Sequence, residues 1–150
     1  MATIRLQPDF REFLKLLNAT RVEYLLIGGY AVGYYGYSRA TLDMDVWIAV
    51  KPCNAKKMIT VMARFGFPKD AITASLFLEK GKILRLGLPP VRLEILTEIS
   101  GVTFDDCYAR RNRVAIDGVK VNLIGFEDLL QNKVASGRHK DLDDLEHLRS

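Results

Sequence analysis

Two aspartates one residue apart, Asp43 and Asp45, sit inside an otherwise apolar run, LDMDVWIAV, and this pairing limits the fold more than any other feature of the chain. A run of this kind reads as a strand, whose side chains alternate between two faces. Asp43, Asp45 and Trp47 then share one face, while Met44, Val46 and Ile48 take the other and point to a core. Two like charges about 4 Å apart repel by ~1 kcal/mol in water and ~4 kcal/mol at an effective dielectric of about 20. Partial burial adds a desolvation cost. A cation between the carboxylates relieves both penalties, and hard divalent ions take oxygen ligands. Magnesium needs only one or two protein carboxylates when substrate phosphates and water complete its shell. The other reading is a water-facing edge strand whose charges discourage pairing with another chain.

The residues upstream favour the first reading. Val22 to Ile27 is apolar on nearly every residue and runs into Gly28-Gly29, after which a short helix is expected over about Tyr30 to Tyr37. A strand that ends in glycines and opens a helix brings together unpaired N–H groups and the positive end of a helix dipole, which suits a phosphate. Glycine also lets an anion approach the backbone without meeting a Cβ. A tight structural turn is the competing explanation. The later glycines fall at Gly33 and Gly36, so the spacing is not G-x-G-x-x-G, and dinucleotide binding fits poorly.

A length of 150 residues gives room for one domain with a real core, expected to span residues 1–150. The net charge of +4 suits a phosphate-bearing ligand without implying nucleic acid. Cys53 and Cys107 form no disulfide framework and have no metal spacing with His139 or His147, so both are read as reduced thiols. The first residues lack the apolar core of a secretory signal. The longest nearly apolar run, Tyr24 to Tyr37, is too short and glycine-rich to span a bilayer. A cytoplasmic protein with no membrane association is expected.

Helical spacing places a helix at Pro8 to Asn18 and another at Ala55 to Arg64, the latter capped by Asn54. Ala74 to Leu78 and Ile83 to Leu88 read as two strands of one hairpin. Val91 to Leu96 alternates, with Arg92, Glu94 and Leu96 on one face. Glu94 is either an ion-pair partner of Arg92 or another neighbouring base, or a third acid beside Asp43 and Asp45. A short helix or turn is expected at Phe104 to Arg110, and Asp117-Gly118 marks a two-residue hairpin. Phe126 to Ser136 reads as a helix with Leu129, Leu130 and Val134 inward, stopped by Gly137. In a last helix, about Lys140 to Leu148, Leu142, Leu145 and Leu148 are expected to pack. Asp141, Asp143, Asp144 and Glu146 are expected to be mostly solvated.

With GG at 28–29, RATLDMD at 39–45 and the later acid at 94, the chain resembles the nucleotidyltransferase superfamily related to polymerase β. It is similar in particular to the small single-domain members found in toxin–antitoxin and abortive-infection systems. The closing segment, LIGFEDLLQNKVASGRHKDLDDLEHL, is similar to the last helices of that group. Two details depart from the usual pattern: Glu94 stands where aspartate is commoner, and no serine follows the glycines. The fold expected is α/β (α+β), a mixed, largely antiparallel twisted sheet with helices packed on one face. The resemblance implies that Asp43, Asp45 and Glu94 are catalytic and hold one or two Mg²⁺. It also implies that Gly28 and Gly29 bind the triphosphate, and that Arg39, Lys133 and Arg138 neutralise the leaving pyrophosphate. The implied reaction moves an NMP, AMP by preference, from NTP to a hydroxyl. The chain carries little beyond a catalytic core, so a macromolecular acceptor, protein or tRNA, is expected, with a cognate toxin or antitoxin protein as a candidate partner. The alternative is a catalytically weak nucleotide-binding or antitoxin module of the same fold.

Overall fold

The computed structural model describes residues 4–37, 43–68, 70–87 and 92–150. The elements in chain order are α1 (Pro8–Ala19), β1 (Tyr24–Ile27), α2 (Gly28–Tyr34), β2 (Asp43–Ile48), α3 (Pro52–Phe65), β3 (Ile83–Leu86), β4 (Arg92–Leu96), α4 (Phe104–Ala109), β5 (Asn112–Ile116), β6 (Val119–Leu123), α5 (Phe126–Ser136) and α6 (His139–Arg149). The strands form a six-stranded sheet in the order β3-β4-β2-β1-β6-β5. Its junctions β3·β4, β1·β2 and β5·β6 are antiparallel, while β2·β4 and β1·β6 are parallel. The sheet is thus mixed, as expected, with antiparallel junctions in the majority.

Alternation along β2 sets the layers. Met44, Val46 and Ile48 are fully buried on one face. Tyr24 pairs with Ile48 on that face, and its hydroxyl donates to Asn18 Oδ1 at the end of α1 (2.9 Å). The helix α3 packs beside α1, partly through Phe13 edge-on to Phe65 (5.2 Å). Trp47 points the other way and meets Phe104 of α4 at 5.1 Å, so helical cover is not confined to one face. Burying these apolar faces is the main force that holds the layers together. Among the described residues no helix is long and apolar enough to cross a membrane.

Several expectations change for identifiable reasons. The helix α2 begins at Gly28 rather than near Tyr30, so both glycines lie in its first turn. Asn54 does not cap α3, which starts earlier, with Pro52 in its first turn. Asn54 is instead buried, and accepts from the Glu23 N–H (2.8 Å) while donating to the Glu23 and Ala49 carbonyls (3.1 and 2.9 Å). It stitches the ends of β1 and β2 to the helix.

Ala74–Phe77 is a single 3-10 turn against α3, not a strand. Phe77 alone anchors it, while Leu76 and Leu78 stay exposed, so the segment has no apolar face to offer a sheet. The partner of β3 is therefore β4.

The last two helices differ most from expectation. Val134 is 53% exposed and Lys133 only 4%, because α5 turns its lysine rather than its valine toward α6. Leu142 is exposed, and Asp141 and Asp144 have no solvent exposure. Leu145 and Leu148 pack as expected.

Candidate active site

The site is organised by strand register. Across the parallel β2·β4 junction, Asp45 lies opposite Glu94 and Asp43 opposite Arg92. Ile27 lies opposite Asp45 on β1, and Arg85 opposite Glu94 on β3. Directly paired residues share a face. One cross-strand row therefore reads Ile27, Asp45, Glu94, Arg85 over four strands. The row beside it holds Asp43 and Arg92. Asp45 and Glu94, far apart in sequence, become neighbours because the ladder sets them side by side.

The charges in these rows are unevenly matched. Arg92 grips Asp43 with two hydrogen bonds, Nε to Oδ1 (3.2 Å) and Nη2 to Oδ2 (2.9 Å). Its Nε also lies 3.7 Å from Glu94 Oε1. Arg85 donates from Nε to the same Glu94 oxygen at 3.1 Å. Asp45 receives no such help. Its Oδ1 is buried with no hydrogen-bond partner. Burial, then the charge of Glu94 and a shared contact with it, push the Asp45 carboxyl up to about 7; Lys140 opposes the shift and Asp43 adds to it. A carboxylate in this state lacks a cation.

Gly28 explains how the turn comes so close. Its φ is +68°, the left-handed region that glycine adopts without penalty. A Cβ on Gly28 would overlap the Asp45 carboxylate. The open cleft in front of these residues has a volume of about 680 Å³, and Gly28, Gly29, Asp43, Asp45 and Glu94 line it.

Lys133, Arg138 and Lys140 line the same cleft. The Lys133 ammonium lies 3.0 Å from Asp141 Oδ1 and 3.1 Å from Asp144 Oδ2, both buried. Two of its three donors are thereby committed inside the protein, which departs from the expectation of a lysine free to meet a pyrophosphate. Asp141 also accepts from Ser136 Oγ (2.7 Å) and Arg138 Nε (2.8 Å). Burial opposes its ionisation, but these hydrogen bonds outweigh it and hold the carboxyl well below the usual carboxylate range. Arg138 spends only Nε on this contact and remains 71% exposed, with its terminal nitrogens open to an anion. Arg39 lies outside the described residues.

Three cleft residues were not singled out from the sequence. Arg92 was weighed only as a partner for Glu94, and the register gives it first to Asp43. Arg85 acquires meaning only when β3 is known to pair with β4. Lys140 carried no signal beyond its charge.

Among the described residues, no three His, Cys, Asp or Glu side chains form a group able to hold a metal ion. The donor chemistry nonetheless fits a hard cation at Asp45 and Glu94: all the donors are oxygens, and one buried carboxylate oxygen has no partner. Asp43 lies beside them with each oxygen accepting a hydrogen bond from Arg92.

A family profile described as "Nucleotidyl transferase of unknown function" matches residues 7–150. The fold is shared with an antigenic nucleotidyltransferase-like protein from Paracoccidioides brasiliensis (TM-score 0.57, 18% identity, covering 95% of this chain and 77% of that one). It is shared with a Thermotoga maritima protein provisionally assigned as a nucleotidyltransferase (TM-score 0.63, 16% identity, covering 95% and 93%). A third match is the lincosamide antibiotic adenylyltransferase LnuA in its lincomycin-bound form (TM-score 0.58, 18% identity, covering 97% of each chain). No curated protein matches the chain at significant similarity.

Proposed function

The chain belongs to the nucleotidyl transferase family of unknown function, an enzyme class, and on that premise we propose that it transfers AMP from magnesium-bound NTP to a hydroxyl of a macromolecular acceptor, protein or tRNA. Residues 1–150 act as one such domain in this reading. The observation that carries it is the row of Asp45 beside Glu94, with a buried oxygen of Asp45 unpartnered next to Gly28. That is the arrangement expected of a site whose missing charge arrives with its substrate.

Bound magnesium, one or two ions, would screen the triphosphate and the departing pyrophosphate. Asp45 and Glu94 would hold it, with Asp43 beside them as a further oxygen donor. Gly28 and Gly29 leave the backbone open for the phosphates. Arg138 and Lys140 face the negative charge that builds on the leaving group. The acceptor oxygen bonds to the α-phosphorus as the bond to the bridging oxygen breaks. Pyrophosphate leaves, and the hydroxyl proton passes to a nearby base, a role that Glu94 takes only where it does not hold magnesium.

A specific observation favours a second reading. Arg92 and Arg85 already neutralise Asp43 and Glu94, as they would in a nucleotide-binding antitoxin module with little turnover. Incubation with α-labelled NTPs and Mg²⁺, with candidate proteins and with tRNA, separates the two. Label transfer that disappears in Asp43→Asn supports the enzyme. NTP binding without transfer in the presence of a cognate toxin or antitoxin protein supports the module.

A further inference from the structure

Among the described residues β3 is the outer strand of the sheet, next to the carboxylate cleft. Its pairing with β4 fixes which backbone groups point outward. The Thr97 N–H donates to the Lys82 carbonyl (3.1 Å), which makes that pair a hydrogen-bonded one. In an antiparallel ladder such pairs alternate with non-bonded pairs. Leu84 with Ile95 and Leu86 with Leu93 are then bonded, while Ile83 with Leu96 and Arg85 with Glu94 are not. The N–H and C=O groups of Ile83 and Arg85 therefore face away from the sheet. These same two residues line the cleft, and Arg85 closes the row that contains Asp45 and Glu94.

Proteins usually protect such an edge. Here Ile83 on the edge itself is 47% exposed. Lys80, Lys82 and Arg85 outnumber Glu79 in the segment; Lys82 pairs with Glu79 (3.4 Å) and Arg85 with Glu94 (3.1 Å), which leaves a net positive charge at Lys80 for an acidic partner. We propose that this edge docks the acceptor, an extended polypeptide segment with acidic residues that adds to β3 as a seventh strand. The proposal rests on the nucleotidyltransferase reading above and names the acceptor class. An added strand lies about 4.8 Å beyond β3. Side chains opposite Ile83 and Arg85 share the cleft face, about 10 Å from the strand of Glu94 and about 14 Å from that of Asp45, so the docked strand anchors an acceptor whose hydroxyl is carried on a neighbouring segment. Backbone pairing supplies affinity without demanding one sequence. RNA has no groups that continue such a ladder.

The test uses the full chain, Mg²⁺ and a synthetic peptide of alternating Thr and Val with two glutamates at each end; tRNA serves as the second ligand. Hydrogen exchange at the Ile83 and Arg85 amides should slow by about tenfold or more with the peptide. Ile83→Pro removes only an outward N–H, which an edge strand tolerates, and should weaken peptide binding about tenfold. Ile83→Val, which keeps that N–H, should restore it. Protection by tRNA alone overturns the proposal, as does peptide binding that ignores Ile83→Pro or leaves both amides unprotected. The exchange measurement on the unmodified chain stands even if the proline variant folds poorly. Label transfer to some acceptor without β3 protection sinks this inference and leaves the transferase reading intact. Failure of all NTP binding sinks the transferase reading itself.

Discussion

Asp45→Asn should stabilise the metal-free protein, and the gain should depend on pH. Burial and Glu94 raise the carboxyl from 3.8 to about 7 in the folded chain. Each pKa unit corresponds to ~1.36 kcal/mol, so the shift amounts to about 4 kcal/mol against folding once Asp45 is ionised in both states. Water in the open cleft screens part of this, leaving about 2–4 kcal/mol. The unfolded carboxyl loses its proton near pH 4 and the folded one near pH 7. Below that window neither state is ionised and the effect vanishes. Within it the folded chain retains a proton that the unfolded chain has released, so stability falls as pH rises. Above it the penalty is complete. An asparagine of the same shape escapes this penalty. At pH 8 the variant should gain roughly 5–15 °C in Tm, given about 2–4 °C per kcal/mol for a chain of this size, and almost nothing at pH 4. Thermal unfolding with a chelator at pH 4, 6 and 8 measures this. Adding Mg²⁺ should then raise the Tm of the unmodified protein and leave the variant unmoved. A variant that is less stable at pH 8, or differs by the same amount at every pH, would refute the reasoning and make Asp45 a structural residue.

Two further outcomes follow from the same geometry. Lys133→Met removes the buried ammonium that meets Asp141 and Asp144, both without solvent exposure, and should cost about 3–5 kcal/mol in urea unfolding; Asp141→Asn and Asp144→Asn added together should recover part of it. Gly28→Ala forces a left-handed residue with a side chain, worth about 1–2 kcal/mol, and pushes on the Asp45 carboxylate, so label transfer should fall far more than stability. Normal transfer in that variant would show that the close approach has no functional role.

The alternation of β2 was legible because one face had to be core, and the same logic placed Glu94 on a polar face of β4. The hairpin at Asp117-Gly118 was legible because both residues need positive φ, 49° and 78°, which that pair tolerates. What the sequence left hidden was pairing. Nothing local tells β4 to lie parallel to β2, and only that contact shows Arg92 holding Asp43 and Arg85 holding Glu94. The 3-10 turn at Ala74–Phe77 was misread because Leu76, Phe77 and Leu78 suggest a strand, yet only Phe77 finds a core to enter. Lys133 and Val134 changed places for a related reason. Hydrophobic periodicity cannot anticipate that two aspartates on the next helix will bury a lysine.

The parallel contact between β2 and β4 has an evolutionary implication. Parallel neighbours cannot be joined by a tight turn, so the chain must travel out and back between them. Here the detour comprises α3, the 3-10 turn and β3. Its length can change without disturbing the juxtaposition of Asp45 and Glu94, because the ladder rather than the detour fixes that spacing. Lineages that acquire new acceptors could therefore lengthen or shorten the segments on either side of β3, while β3 keeps Arg85 beside Glu94.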